Sequence, residues 1–467
     1  MTLLAIGKLR GVRHLMAAAG LLSMVLPVTS AAQAPPLELA ARVLEPKEIA
    51  AVASGGRAVV IEAGARERVN RGFEAVLAAA RAGQPVYGLT TGVGWNKDHR
   101  SLQRDGALDP DLLAASRRFN LGTLRAHAAG IGPWLSAAAV RAAMLVRLNL
   151  LLTGQGGVQP ALVEQYAAFL NAGITPLVPM RGSIGEADIL LTSHIGLALA
   201  GEWRVEYRGR IMPAAEALAL AGLKPVELVG KDFLSIIGDN SLTVGRAALV
   251  VVAARRWLER EVVVFALSLE GLDGNVAPFL QVSVAARPRP GLVTVATQLR
   301  WALAGSDLWR PAAGRPLQDP LSFRTMPHVL GNALDAIVAV EAEIRFESRH
   351  GGDNPQVVLA DGGPPLRGED EIARFRVPGT DAAIVPSGNF EALPLVAALE
   401  RLSLALAQTA SSIGSTIHRF ENPEITRLPR FLTAPGNPGH GFGAIQKASA
   451  ALVTEIRSLA MPVSLDE

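Results

Sequence analysis

Apolar residues recur at helical spacing over long stretches of the second half of the chain. Leu334, Ile337 and Ile344 follow this spacing and predict one long helix. A second, longer helix is predicted by a series that repeats every three, four or seven positions: Leu395, Leu399, Leu402, Leu406 and Ile413. Residues 249–269 are apolar on nearly every side, so we expect the helix that contains them to be buried.

The first half of the chain, residues 37–225, mixes short apolar runs with glycine-rich loops. Residues 58–61, Ala-Val-Val-Ile, are predicted to form a strand because glycines bound them on both sides. Glycine- or proline-rich segments predict loops at residues 87–94, 154–157, 288–290, 311–320 and 362–365. The pattern therefore predicts a mixed α/β N-terminal part followed by long helices.

The N-terminus has the composition of an export signal. Lys8, Arg10 and Arg13 precede a short apolar run at residues 15–26, and small residues follow up to Ala32. The apolar run is too short to cross a bilayer comfortably. We therefore predict a signal peptide at residues 1–32, a periplasmic or secreted protein, and no membrane association after cleavage. The alternative is an amphipathic cytosolic extension.

Charge and cysteine content exclude several functional classes. The formal net charge is +3, and the three cations of residues 1–32 have no acid among them, so the remainder of the 467-residue chain is formally neutral. No nucleic-acid-binding surface is predicted from such a balance. The sequence contains no cysteine, which excludes disulfides, thiolate catalysis and cysteine-based metal sites.

A glycine-rich segment, Gly182-Ser-Ile-Gly185-Glu186-Ala187-Asp188, carries the most specific signal. It resembles the signature of the histidine/phenylalanine/tyrosine ammonia-lyase family, Gly-Ser-Val-Gly-Ala-Ser-Gly-Asp-Leu. In that family Ala-Ser-Gly cyclises into an electrophilic prosthetic group, methylidene-imidazolone. The ring needs a glycine nitrogen that attacks and a serine hydroxyl that leaves as water, and Glu186-Ala187 supplies neither. We therefore predict that the prosthetic group is absent and that no other cofactor is used.

Six further motifs follow in the family's order, and the resemblance covers nearly all of the chain after residue 32. They are Tyr87-Gly-Leu-Thr-Thr-Gly-Val-Gly94, Ala126-His127-Ala-Ala-Gly130-Ile-Gly132, Arg147-Leu-Asn149-x-Leu151-x-x-Gly154, Gln318-Asp319-Pro320-Leu-Ser322-Phe-Arg324, Asp353-Asn354-Pro355 and Gly388-Asn389-Phe390. The resemblance implies a mainly α, aspartase-like long-helix bundle that assembles as a homotetramer. We accordingly predict an N-terminal lyase-like domain at residues 33–225 and a long-helix bundle at residues 226–467.

The resemblance also implies roles for individual side chains. Tyr87 matches the catalytic base that removes a β-proton, and Arg324 matches the clamp on the substrate carboxylate. His127 matches a contact to the substrate side chain, Gln318 a residue beside the prosthetic group, and Phe390 an apolar wall. Structural roles stay open for each of them: a backbone-bonded tyrosine, an interface ion pair, a core histidine, a loop-bonded glutamine and a core phenylalanine.

Several other positions depart from the family pattern. Leu321 stands where the family has a tyrosine, Gly238 where it has an asparagine, and Glu391 where histidine is common. The chain stops just before the acidic segment that closes the family's sequences, and we expect that acidic group to be missing from the site. The Ala-Ser-Gly triplet at residues 53–55 is predicted to be an early turn, unrelated to the ring.

Two main functions fit this pattern. One is a lyase without the electrophile, which acts on a small amino-acid-like carboxylate with a more acidic proton or a better leaving group, with Tyr87 as base and Arg324 as anchor. The alternative is a periplasmic ligand-binding or scaffolding protein that has lost turnover. A third interpretation is a divalent-cation site made by Glu186, Asp188, His194, Asp239 and Glu391. No compact ligand motif connects these residues, so we predict no metal.

Overall fold

The computed structural model describes residues 34–104, 107–108, 111–360 and 370–464. The predicted signal peptide and the predicted loop at residues 362–365 lie outside the described residues.

The chain divides into two compact units. Among the described residues, the first unit, here called the N-terminal unit, contains residues 34–252 and 341–395. The second, here called the bundle unit, contains residues 253–340 and 396–464. The predicted domain boundary at residue 225 stays a prediction.

Short strands of the N-terminal unit form small sheets. The strands are β1 Leu37–Leu39, β2 Val59–Ile61, β3 Gln103–Arg104, β4 Ala107–Leu108, β5 Ile131–Trp134, β6 Thr175–Pro176, β7 Pro179–Arg181, β8 Arg204–Tyr207, β9 Arg210–Pro213, β10 Gln356–Val358 and β11 Ala383–Val385. β1 and β2 pair in parallel, whereas β3–β4, β5–β7, β10–β11 and the three-stranded sheet β6–β8–β9 are antiparallel. β2 confirms the strand predicted at residues 58–61.

Helices dominate, at 57% of residues against 8% for strands, so the mainly α prediction is confirmed. Those up to residue 237 are α1 Pro46–Ala53, α2 Ala63–Arg81, α3 Leu112–His127, α4 Ala137–Leu151, α5 Pro160–Ala172, α6 Ile189–Leu199, α7 Ala214–Leu220 and α8 Asp232–Ile237. α4 is the central helix of the N-terminal unit, since every residue from Ala139 to its end is buried. The hydroxyl of Ser136 accepts a hydrogen bond from the Ala139 N–H and caps its N-terminus.

The later helices include the longest of the chain. They are α9 Ser241–Leu272, α10 Gln281–Ala285, α11 Pro290–Ala302, α12 Leu321–Arg324, α13 Met326–Glu347, α14 Leu393–Phe420, α15 Pro423–Thr426 and α16 Ile445–Leu459. α13 and α14 confirm the two long helices that apolar spacing predicted. Within the bundle unit, the Phe323 ring packs 6.1 Å from that of Phe265 and 5.8 Å from that of Phe420, so α12 is anchored by aromatic contacts.

The predicted burial of residues 249–269 is wrong in part. Val250, Val263, Val264 and Leu267 on α9 are 40–51% exposed. The helix buries one side, and no other part of the described chain covers these residues on its other side. Among the described residues, one helical stretch, Asp232–Leu272, is apolar and long enough to span a membrane, although 61% of its most apolar window is buried inside the chain.

Candidate functional site

Tyr87 lies in a tight glycine-containing turn of the N-terminal unit. Its hydroxyl oxygen accepts a hydrogen bond from the backbone N–H of Gly94 at 2.9 Å, and its side chain is half-buried. Gly88 adopts φ +68°, and a Cβ atom there would overlap the side chain of Leu234. Local backbone geometry therefore explains why glycine follows Tyr87 in this motif. Glycine allows the turn, and the turn fixes the position of the phenol.

His127 is the last residue of α3 and is half-buried. Its Nδ1 lies 2.8 Å from the carbonyl oxygen of Thr123, one turn earlier. A carbonyl only accepts, so Nδ1 carries a hydrogen and donates this bond. The bond fixes the orientation of the imidazole ring at the end of α3.

The loop from Gly182 to Asp188 joins β7 to α6 in place of the family's ring-forming segment. The hydroxyl of Ser183 accepts from the Gly185 N–H at 3.3 Å and donates to the Ala187 carbonyl at 3.4 Å, so it bridges the inside of the loop. Ala187 is buried and adopts φ +62°, a conformation that is uncommon for a residue with a side chain. Glu186 is exposed, and its backbone forms an isolated β-bridge with Glu391.

Asp188 is tied into the protein by both its side chain and its backbone. Its carboxylate oxygens accept from the Thr243 N–H at 2.9 Å and the Thr243 hydroxyl at 3.0 Å. Its own N–H donates to the Asp239 carbonyl at 2.9 Å. Burial raises the pKa of Asp188 above its ordinary value. The nitrogen that follows Ala187 is thus hydrogen-bonded, and no serine lies between Ser183 and Asp188, so these residues do not fit the family's prosthetic ring.

Phe390 and Glu391 lie beside this loop. The side-chain N–H of Asn240 donates to the Phe390 carbonyl at 2.5 Å, and the Phe390 side chain is half-buried. A Glu391 carboxylate oxygen accepts from the Leu393 N–H at 2.8 Å and caps the start of α14. The structure therefore brings Glu186 and the Phe390–Glu391 pair together, although more than 200 residues separate them along the chain.

A buried ion network lies in the same unit, and of its members only Asp239 was named as a site residue from the sequence, in the alternative cation site. Arg147 on α4 donates to Asp239 at 2.9 Å and to both carboxylate oxygens of Asp353 at 2.9 and 3.3 Å. It also donates to the carbonyl oxygen of Ser235. Burial alone would raise the pKa of Asp353, but the adjacent Arg147 guanidinium outweighs it and holds that pKa below the usual range. The sequence signal was present, because Arg147 and Asp353 both belong to family motifs.

Lys231 completes the network. It is fully buried, donates to the Ser235 hydroxyl at 3.0 Å and lies 3.9 Å from Asp353. Burial lowers its pKa to about 8, despite the opposing effect of Asp353. Since Asp188 bonds to the backbone of Asp239, the network holds one end of the loop at residues 182–188 in place.

Gln318 and Arg324 belong to the bundle unit and pair with each other. A guanidinium N–H of Arg324 donates to the side-chain carbonyl of Gln318 at 2.5 Å. Arg324 is half-buried, and its Nε–H has no hydrogen-bond partner among the described residues. Leu321, which replaces the family's tyrosine, is 63% exposed. The Gln318 side chain therefore orients the arginine, and the role of Gln318 in a substrate site stays a prediction.

Two features considered from the sequence remain: the divalent-cation site and the Ala-Ser-Gly triplet at residues 53–55. The described residues contain no group of three or more His, Asp or Glu side chains placed to hold a metal ion. Residues 53–55 end α1, with Gly55 at φ +78°, which confirms that this Ala-Ser-Gly triplet is an early turn.

Comparison with known proteins identifies the family to which this fold belongs. The aromatic amino acid lyase profile matches residues 44–467. The histidine ammonia-lyase of Sorangium cellulosum is 33% identical over 434 residues, which cover 92% of this chain and 80% of that protein. The histidine ammonia-lyase of Geobacillus kaustophilus is 34% identical over 386 residues, covering 82% and 70%.

Solved structures agree. Ergothionase from Treponema denticola, an ergothioneine-degrading enzyme, superposes with a TM-score of 0.83 at 36% identity and covers 92% of this chain and 81% of its own. Histidine ammonia-lyase from Trypanosoma cruzi gives 0.76 at 25% identity, covering 92% and 75%. The aspartase-like long-helix fold is thereby confirmed. The chain belongs to the aromatic amino acid lyase family, whose ammonia-lyase members are carbon–nitrogen lyases.

Proposed function

We propose that this protein eliminates an amine from an amino-acid-like carboxylate without a methylidene-imidazolone group. One observation carries the proposal: Glu186-Ala187 stands where the family's Ala-Ser-Gly forms the ring, and the next backbone nitrogen is hydrogen-bonded to Asp239. Family membership supports the reaction class, and the replaced loop supports a different way of releasing the amine.

The leaving group must then be good enough to depart without covalent capture. A quaternary ammonium meets this condition, because its nitrogen has no lone pair for an electrophile and it leaves as a neutral tertiary amine. The Treponema denticola relative degrades ergothioneine. As a compound, ergothioneine is a trimethylammonium betaine with a thiolated imidazole ring. We therefore assign this chain to betaines of amino acids with an aromatic side chain.

The proposed elimination balances without a prosthetic group. Tyr87 acts as its phenolate, whose oxygen accepts the Gly94 N–H; it takes the β-proton and becomes the phenol, and the electrons of that C–H bond form the Cα–Cβ double bond. The Cα–N bond breaks and the nitrogen keeps its electron pair, which gives trimethylamine and an α,β-unsaturated carboxylate. Tyr87 then returns its proton to solvent. Arg324 is assigned to the substrate carboxylate, His127 to the substrate side chain and Phe390 to an apolar wall.

A paired substrate panel tests the proposal. Trimethylammonium betaines of histidine, 2-thiohistidine, phenylalanine and tyrosine are compared with the parent amino acids, and released amine and conjugated product are both measured. We expect at least one betaine to turn over and the parent amino acids to react far more slowly. Tyr87→Phe should lower that turnover by about 10²-fold or more, since proton transfer to a positioned base is worth this much.

The chemical state of the loop is measured separately. Peptide mass analysis should find residues 182–188 at their unmodified mass, and a dehydrated peptide would overturn the proposal. If no betaine or amino acid reacts but one binds saturably, the alternative of a ligand-binding homologue without turnover replaces the lyase.

We also propose a homotetramer. The family resemblance supports it, and so does apolar surface that the single chain leaves open: α16 has no buried residue, and its Leu452 and Leu459 are 59% and 78% exposed. Light scattering of the purified protein should give four chains per particle, and a monomer would contradict the assignment.

Export is the last part of the proposal. The basic and apolar pattern of residues 1–32 supports cleavage and a periplasmic or secreted location. Cell fractionation with N-terminal sequencing should find a mature chain that begins near residue 33, and an intact cytosolic chain would contradict it.

A further inference from the structure

A large cavity of the N-terminal unit is lined in part by the segment that carries Tyr87. Its volume is about 670 Å³, within the range of about 300–1,000 Å³ that is typical of small-molecule sites. Its walls are mainly apolar and include Phe73, Leu77, Leu89, Leu102, Leu112 and Val226. None of the residues assigned above to catalysis or substrate binding lines it.

Two wall residues connect the cavity to the catalytic turn. Leu89 and Leu102 are almost completely buried and belong to the segment that contains Tyr87. The Leu89 N–H donates to the Val86 carbonyl at 3.1 Å, and the Leu89 carbonyl accepts from the Ser101 hydroxyl at 2.7 Å. A molecule in the cavity would therefore contact Leu89 and Leu102, which lie in the same segment as Tyr87.

The polar residues of the cavity give it a positive balance. Arg117 forms an ion pair with Glu227, so these two charges compensate each other. Gln159 uses its side-chain N–H groups on the Glu227 carbonyl and on Asp232. Arg81, at the end of α2, also lines the cavity, and within the described part of the chain no carboxylate pairs with it. One guanidinium is thus left to meet an anion beside an apolar interior.

We propose that this cavity is a second ligand site, which takes a monocarboxylate with an apolar body. The apolar body lies between the leucines, where it removes hydrophobic surface from water, and the carboxylate pairs with Arg81 in the two-pronged geometry that guanidinium favours. Since the ligand packs on Leu89, its binding stabilises the turn of Tyr87. The site does not depend on the reaction proposed above.

Calorimetry with 4-phenylbutyrate tests the site on the full-length protein. We expect one binding event per chain, and much weaker binding of the neutral 4-phenylbutyramide. Arg81→Gln should weaken the carboxylate about tenfold, the usual value of a charge-assisted contact. Leu113→Trp should block the cavity, because Leu113 lines it from the surface of α3 and is 51% exposed, so a larger side chain is tolerated there.

Two controls separate this site from other anion sites. Arg208→Gln removes an exposed arginine elsewhere in the same unit and should leave binding unchanged. Arg324→Gln removes the assigned carboxylate clamp and should also leave it unchanged. If Arg324→Gln abolishes binding while Arg81→Gln and Leu113→Trp do not, the ligand occupies the lyase site and the proposal is wrong. Absence of binding to the unmodified protein at millimolar ligand would overturn it as well.

Hydrogen exchange measures the connection to Tyr87. Added 4-phenylbutyrate should slow exchange in residues 86–101 of the unmodified protein and leave that of Leu113→Trp unchanged. Equal exchange with and without bound ligand would refute the stabilisation of the turn.

Discussion

Arg147 and Asp353 form a two-pronged ion pair in the interior of the N-terminal unit, with both side chains at most 2% exposed. Burying both charges costs desolvation free energy, because both leave water. Removing only one partner destabilises the protein further, because the remaining charge stays in the interior without its counter-ion. The family's Arg-x-Asn and Asp-Asn-Pro motifs meet at this pair.

Removal of the arginine should severely destabilise the fold. Arg147→Met leaves Asp239 and Asp353 as buried carboxylates, with Lys231 3.9 Å from the nearer oxygen of Asp353. We expect the free energy of unfolding to fall by about 3–5 kcal/mol, measured by urea denaturation. Arg66→Met is the matched control, since its pair with Glu164 is about half exposed and is worth about 0–1 kcal/mol. If both variants lose the same free energy of unfolding, the buried ion pair contributes no more to stability than the exposed one.

His194 should make stability depend on pH. It is buried against Trp203, with ring centroids 4.6 Å apart, and neither ring nitrogen has a partner among the described residues. Burial lowers its pKa to about 4 from 6.5. The unfolded chain therefore takes up a proton below pH 6.5 that the folded chain takes up only near pH 4, so stability is complete above pH 6.5 and falls between these values.

A single substitution measures how much His194 contributes to the pH dependence of stability. Unfolding free energies of the unmodified protein and of His194→Leu are compared from pH 7 to pH 4, and their difference should change by at most about 3 kcal/mol. The raised pKa values of Asp232 and Glu347, about 6 and about 7, affect both proteins alike and cancel in that difference. If the difference does not vary with pH, the pKa of His194 is the same in the folded and unfolded chains. The folded protein would then hydrate or hydrogen-bond this imidazole.

Gly88 should be irreplaceable for a reason beyond its backbone conformation. Gly88→Ala and Gly209→Ala both place a side chain at positive φ, which costs about 1–2 kcal/mol. Only at Gly88 does the new methyl group overlap Leu234, whereas the space around Gly209 is open. We expect about 1–3 kcal/mol of additional destabilisation at Gly88 and a loss of turnover through displacement of Tyr87. If both variants unfold alike and keep full activity, the overlap is relieved without moving the turn.

Local pattern was sufficient to predict the long helices but not their surroundings. The spacing from Leu395 to Ile413 depends on residues within a few turns, and α14 confirms it. The apolar character of α9 also predicted a helix, yet Val264 and its exposed neighbours show that composition does not reveal which sides are covered. Which sides of a helix are buried depends on tertiary and subunit contacts, and the periodicity of the sequence does not predict these contacts.

The candidate site divides in the same way. Family motifs located Tyr87, Arg324 and the degenerate loop, because each is a short contiguous pattern. The pair between Arg147 and Asp353 spans 206 residues, and the bridge between Glu186 and Glu391 is equally non-local. No local sequence pattern connects residues so far apart. The sequence therefore identifies the charged residues, and only the structure shows which of them are in contact.

Arg324 offers the sharpest functional test. Lysine keeps the charge but loses the two-pronged hydrogen bonding, and it also loses the guanidinium contact to Gln318. With a betaine that turns over, we expect Arg324→Lys to raise KM about tenfold and Arg324→Gln to lower kcat/KM about 10²-fold, while Arg310→Lys, at an exposed arginine paired with Asp307, changes neither. Should Arg324→Gln keep kcat/KM within twofold of the unmodified protein, the substrate carboxylate is bound by another residue. The pair with Gln318 would then have only a structural role.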